Sequence, residues 1–193
     1  RYEGRGVKKS VDSVTHLIQD KLVGRELNQA AIDGFLVAEP NVPENVVLAV
    51  SMACARAGAR HKELPLHDYL ALLANVPDPC VPTPVFTLAC GGLHGSAPLP
   101  LQEVTALFLE APSFEDALEH GGRLHRGLRA ALAARGHPFA NAGLTGGLSV
   151  PGLEKPGDLL EAAAEAAADL GLGASVRFGL DCAAARMVKE AGG

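Results

Sequence analysis

The chain has 193 residues, 48% of them hydrophobic and 20% charged, and carries a net charge of −5. That is enough apolar material for one sizeable core, or parts of two, and it excludes a disordered tail. The acidic balance, the absence of Trp and the 4% aromatic content argue against nucleic acid and anionic membrane as partners.

Val7, Val11, Val14, Leu17, Ile18 and Leu22 follow helical spacing, with Gly24 as the stop. Asn28 is placed to cap a short helix through Ala30, Ala31, Phe35 and Leu36. Pro43 sits where a first-turn proline belongs, and Glu44 to Ala57 then reads as a buried helix ended by Gly58. Pro65 starts another, through Tyr69, Leu70 and Leu73. The texture changes at Asn75, where "NVPDPCVPTP" holds four prolines in ten residues, a linker signal. Val85 to Cys90 and Glu103 to Glu110 read as strands, joined by the loop "GGLHGSAPLP". Ser113 with Asp116 resembles a capping box that opens a long helix, closed by Gly136. Gly121-Gly122 in its middle either admits a close neighbour or marks a kink. Pro156 begins an alanine-rich helix, Asp158 to Leu170, and Ser175 to Asp181 is a last strand. Helices, linker, two strands, two helices and a strand suggest an α/β sheet with helices outside.

The longest uncharged apolar run, Val46 to Ala55, is too short to span a bilayer, and no signal peptide is visible. Cys54, Cys80, Cys90 and Cys182 form no C-x-x-C pair. Three of them lie in apolar runs, where buried reduced thiols of an intracellular chain are expected. The chain starts at Arg1 and stops at Ala191-Gly192-Gly193 without a terminal element, so the expectation is a fragment of a longer protein.

Few residues stand out for chemistry. Asp181 closes a strand, where α/β folds build their sites, and suits either a Mg²⁺ ion or the cap of a following helix. His94 lies between glycines in a strand-to-strand loop, and Glu103 opens the next strand, placed for acid or base work if that end faces a pocket. His120 and His125 fall on different helix faces, and the histidines show no metal spacing. "NAGLTGGLSVPG", from Asn141 to Gly152, has the glycines of a ligand loop, yet Leu144-Thr145 at its centre offers neither carboxylate nor cation.

Taken in order, the segments resemble the enolase (phosphopyruvate hydratase) family over nearly the whole chain. "RYEGRGVKKSVDSVTHLI" is similar to that family's R-Y-x-G-K-G-V segment. "ENVVLAVSMACARAGARHKELPLHDYLALLAN" is similar to its A-N-A-I-L-x-V-S-x-A stretch. "VPTPVFTLACGGLHGSAPLPLQEV" is similar to its N-G-G-x-H…Q-E stretch, and "SVRFGLDCAAARM" to its strand ending G-x-D-x-A-A-S-E-F.

The resemblance implies an α/β chain: residues 1–78 as the helical remainder of an α+β amino-terminal cap, and 79–193 as the ββαα-then-β opening of an incomplete enolase-type TIM barrel. It implies a Mg²⁺-dependent lyase of glycolysis that dehydrates 2-phosphoglycerate to phosphoenolpyruvate. The protein would be a cytoplasmic homodimer with no nucleic-acid or membrane partner.

Residue by residue, His94 falls on the family's substrate-loop histidine, Glu103 on one glutamate of the acid/base pair, and Asp181 on the first of three metal carboxylates. The remaining metal carboxylates and the lysine base would lie outside this sequence. The family writes the glycine loop as G-D-E-G-G-F-A-P. Here Thr145 stands at the general-acid glutamate and Leu144 at the aspartate. Ser96-Ala97-Pro98 also replaces the expected asparagine-containing run. The expectation is therefore weakened or lost turnover. The alternatives are a catalytically inactive homologue serving as a structural or binding subunit, and, last, a phosphate-binding α/β module.

Overall fold

The computed structural model describes residues 6–95, 99–137 and 141–184. Two compact units divide the chain, residues 1–80 and 81–193.

The first unit is helical. Helix α1 (Lys8–Ser13) continues through a π-helical turn (Val14–Ile18) into α2 (Gln19–Leu22). The wider turn resets the apolar face and leaves Ile18 only 1% exposed. Ile18 packs with Ile32, Leu36 and Val46, joining this run to α3 (Gln29–Ala38) and α4 (Glu44–His61). Asn28 caps α3 as expected, its Oδ1 accepting from the Ala31 N–H at 3.1 Å.

Two expectations for α4 need correction. The helix passes Gly58 and ends at His61. Gly58 is there for close packing: a Cβ at that position would stand 2.6 Å from Tyr69 Cζ, on α5 (Leu66–Ala74). Nor is α4 buried throughout, since Leu48 and Met52 are exposed. Met52, Ala55 and Arg56 line an open groove of about 610 Å³ with Gln29 and Asp33 of α3 and Leu70 of α5. Asn75 ends α5 in the left-handed region, φ 54°, and the proline-rich stretch from Asn75 to Pro84 forms neither helix nor strand.

The second unit is a sheet covered by helices. Its elements are β1 (Val85–Cys90), a 3-10 turn (Gly92–His94), β2 (Glu103–Phe108), α6 (Phe114–Ala134), β3 (Asn141–Ala142), β4 (Leu148–Ser149), α7 (Pro156–Asp169) and β5 (Val176–Asp181). The strand order is β3-β4-β1-β2-β5. β2 is antiparallel to β1 and β5, and β4 is parallel to β1. The carboxyl ends of β1, β4 and β5 therefore lie at one end of the sheet, beside the amino end of β2.

The core lies between one sheet face and the two helices. Val104, Ala106 and Phe108 of β2 alternate into it, each at most 1% exposed, and meet Ala117, Leu124 and Leu128 of α6. Each leucine so buried contributes about 1.5–3 kcal/mol before entropy is subtracted. The opposite face of β2 holds Glu103, Thr105 and Leu107, all half-buried.

Ser113 caps α6, its Oγ accepting from the Asp116 N–H at 3.0 Å. The paired glycines of α6 resolve as a close neighbour: a Cβ on Gly121 would lie 2.6 Å from the Phe86 ring. On α7, Ala162, Ala163, Ala166 and Ala167 are buried, small enough to seat the helix close. β2 stops at Phe108, two residues earlier than its apolar run, because the chain turns there: the Ala111 N–H reaches the Phe108 carbonyl at 3.3 Å. The sequence reading of three buried thiols is also too generous, since Cys90 is buried, Cys54 half-buried, and Cys80 and Cys182 exposed. Ser96-Ala97-Pro98 lies outside the described residues.

Candidate active site

Register sets the site. Glu103, the first residue of β2, is paired with Cys90 on one side and Asp181 on the other, and Cys90 is paired in turn with Ser149 of β4. Four side-chain positions thus form one row across the strand ends.

A β-bulge tunes the row. The β1–β2 register slips between Thr87 and Ala89. Leu88 and Ala89, both fully buried, enter the core side by side, while Thr87 and Cys90 fall on the Glu103 face. Without the extra residue, alternation would have put Cys90 in the core.

The Glu103 carboxylate is then surrounded by donors. Thr145 Oγ1 donates to Oε1 at 2.7 Å, His94 Nδ1 lies 2.8 Å from the same oxygen, and Thr87 Oγ1 donates to Oε2 at 3.2 Å. Burial alone would push the Glu103 carboxyl up. The bonds from His94, Thr145 and Thr87, with the His94 charge behind them, outweigh it and hold the group below the usual carboxylate range. Cys90 Sγ is 3.3 Å from Thr145 Oγ1. Because the threonine proton goes to Glu103, the thiol donates to the threonine.

Thr145 arrives on a turn between β3 and β4. The Gly143 N–H bonds to the Gly147 carbonyl at 2.7 Å and the Gly146 N–H to the Gly143 carbonyl at 3.0 Å, with Gly146 at φ 89°. A Cβ at Gly143 would lie 2.6 Å from the His94 carbonyl oxygen, so only glycine lets this turn press against the histidine loop. The Leu144 N–H then ties the two loops by donating to the His94 carbonyl at 2.8 Å. The glycine loop is therefore a strand-to-strand turn, and no helix N-terminus follows it to cradle a phosphate.

Asp181 does not touch Glu103. Its Oδ2 accepts from Gln102 Nε2 at 3.3 Å and its Oδ1 from the Ala183 N–H at 2.9 Å, in the manner of a turn cap. It is exposed, so its oxygens can face a cation as well. Among the described residues no group of three or more His, Cys, Asp or Glu side chains is arranged to hold a metal ion. Asp181 supplies one hard oxygen ligand of the kind Mg²⁺ takes, and only one.

Of the four residues singled out in the sequence, His94, Glu103 and Thr145 come into direct hydrogen-bonded contact and Asp181 stands one strand away in register. Cys90 escaped notice as a site residue because a bulge, which spacing does not announce, turns it to the Glu103 face, and Thr87 because it reaches that face only through its pairing with β2. His125 of α6 escaped too. Burial chiefly lowers the affinity of its ring for a proton, Arg129 and Arg126 add to that, and only the Gly146 backbone opposes it. It thus sits behind the turn that carries Thr145.

A strand-end row of two carboxylates, a thiol and a hydroxyl, with helices on the far face of a sheet that begins antiparallel, fits the opening segment of an α/β barrel. Family profiles agree. Residues 1–70 match the enolase N-terminal domain and residues 78–193 the enolase C-terminal TIM barrel domain. The chain belongs to the enolase family, a family of lyases, and its sheet is the start of a TIM barrel that the described residues leave incomplete. No helix among the described residues is long and apolar enough to cross a membrane.

Proposed function

We propose that the protein binds 2-phosphoglycerate with Mg²⁺ at the strand-end row and converts it to phosphoenolpyruvate slowly or not at all. In this reading it is a cytoplasmic homodimer. Family membership supports the substrate. One observation carries the loss of turnover: the side chain that reaches Glu103 from the glycine turn is the hydroxyl of Thr145, at 2.7 Å.

The departing hydroxyl of such a substrate needs a proton. A threonine hydroxyl does not ionise usefully near neutral pH, and its single proton is already engaged by Glu103. General acid catalysis is worth about 10²–10⁴-fold, and that is the shortfall expected. Glu103 does not make it up, because its three donors favour the ionised form. His94 and Glu103 retain the capacity to bind and orient the ligand. Asp181 contributes an oxygen ligand to Mg²⁺. The ion, when bound, supplies positive charge that stabilises the negative charge developing beside the substrate carboxylate.

The binding-subunit reading keeps the same site without turnover. The two are separated by titrating the full-length protein calorimetrically with 2-phosphoglycerate in Mg²⁺ and following phosphoenolpyruvate absorbance in parallel. Saturable binding with turnover at least about 10²-fold below an ordinary family member is the expected result. Absence of binding overturns the reading.

A further inference from the structure

The glycine turn that carries Thr145 closes on a side chain that the proposed chemistry does not use. Cys90 is fully buried at the end of β1, where the bulge turns it to the Glu103 face. A Cβ on Gly143 would stand 2.7 Å from Cys90 Sγ, and one on Gly147 2.8 Å from it. Both arms of the turn therefore lie against one sulfur, an approach that glycine at the two positions permits. Cys90 is also paired in register with Ser149, on the strand that leaves the turn.

We infer that Cys90 is a positioning residue for Thr145: its thiol, held against the glycine turn, donates to the threonine hydroxyl and so commits the hydroxyl proton to Glu103. The inference concerns the chain's own side chains and holds whichever ligand the strand-end row takes.

The Thr145 hydroxyl has two acceptors in reach, Glu103 Oε1 at 2.7 Å and Cys90 Sγ at 3.3 Å. A carboxylate oxygen is much the stronger acceptor and sulfur a weak one, so the proton goes to Glu103. The threonine oxygen keeps lone pairs, and the S–H meets one of them. An S–H···O bond contributes little energy. Its effect is directional, because an oxygen that accepts from the sulfur does not turn its own proton back towards it. Thr145 is then left without a proton to offer a ligand. Alanine at this position would supply neither the donor nor the volume between the two glycines, whereas serine would restore the donor alone.

Two measurements on the full-length protein test this. Raman spectra isolate the S–H stretching band of Cys90 as the difference between a protein and its Cys90→Ser variant. A thiol that donates a hydrogen bond stretches at lower wavenumber than one that does not. The band should rise in Thr145→Val, which keeps the shape of the side chain and removes its oxygen. A band that stays in place or falls overturns the inference.

The second measurement follows Thr145 through its ¹³C-labelled methyl group, whose couplings report the side-chain rotamer. One fixed rotamer in the wild type, averaging in Cys90→Ala and a return to one rotamer in Cys90→Ser support the positioning role. A rotamer as fixed in Cys90→Ala as in the wild type overturns it, because Glu103 alone then orients the hydroxyl. Averaging that serine does not reverse also overturns it, because the sulfur then acts by bulk and not as a donor. Should Cys90→Ala fail to fold, the Raman comparison, which does not use that variant, still decides.

Discussion

At the scale of single residues, one hydroxyl links two strand ends into a network. Thr145 brings a hydroxyl to the glycine turn, and the hydroxyl does what its chemistry allows: it donates to Glu103 and accepts from Cys90. His125 is the residue-scale feature with a pH consequence. Its Nε2 is buried without a hydrogen-bond partner, and burial, with Arg129 and Arg126 nearby, lowers its proton affinity against the pull of the Gly146 backbone. The folded chain thus takes up this proton later than the unfolded chain, whose histidine titrates near about 6.5. The stability involved is complete above that pH and is lost as pH falls through the lower folded value. Urea titrations at pH 7 and pH 5 should show weaker stability at pH 5, and His125→Asn should reduce the difference; an unchanged difference would remove His125 as its source. Of these residues, His94, Glu103, Asp181 and Thr145 were legible because each sits in a recognisable motif. Thr87, Cys90 and His125 were not, because cross-strand pairing, a bulge and a helix face placed them there, and none of these leaves a mark in local spacing.

At the scale of elements, helix α6 separates two roles that look identical in the sequence. Gly121 and Gly122 are neighbours in an otherwise regular helix. A methyl group on Gly121 meets the Phe86 ring at 2.6 Å, whereas one on Gly122 meets only the flexible end of Arg126 at 3.3 Å. Gly121→Ala should cost about 1–3 kcal/mol through overpacking. Gly122→Ala should gain up to about 1 kcal/mol, because alanine is the better helix former. Chemical denaturation of the two variants checks both signs. The elements themselves were largely readable: β1 begins and ends where its apolar run does, and the caps at Asn28 and Ser113 form. The two-residue strands β3 and β4 were not, since strands so short have no periodicity to read. The end of α4 was misplaced because a glycine packed beneath a tyrosine looks, in sequence, like a glycine that stops a helix.

At the scale of the whole molecule, the sheet is the start of a barrel, and the described part of it ends at β5, whose outer side has no strand partner among the described residues. Leu180 on that strand and Leu109 beyond β2 are exposed. Open edges with apolar neighbours promote association. The 193-residue polypeptide expressed alone should therefore aggregate or melt broadly; a sharp cooperative transition by calorimetry would contradict this. The three longer strands and two helices were legible in their order from spacing, but the structure sets β3 and β4 between the helices, and the meeting of the strand ends was not legible, because register across a sheet joins residues as distant as Glu103 and Asp181. The central claim of the proposed function is that turnover is limited by the want of a carboxylic acid at the position of Thr145. The most direct measurement is the rate of phosphoenolpyruvate formation by the full-length protein and by its Thr145→Glu variant, with 2-phosphoglycerate and Mg²⁺ saturating. A rise of about 10²-fold or more in the variant is the predicted result. Rapid turnover by the wild-type protein that Thr145→Glu does not increase would contradict the account.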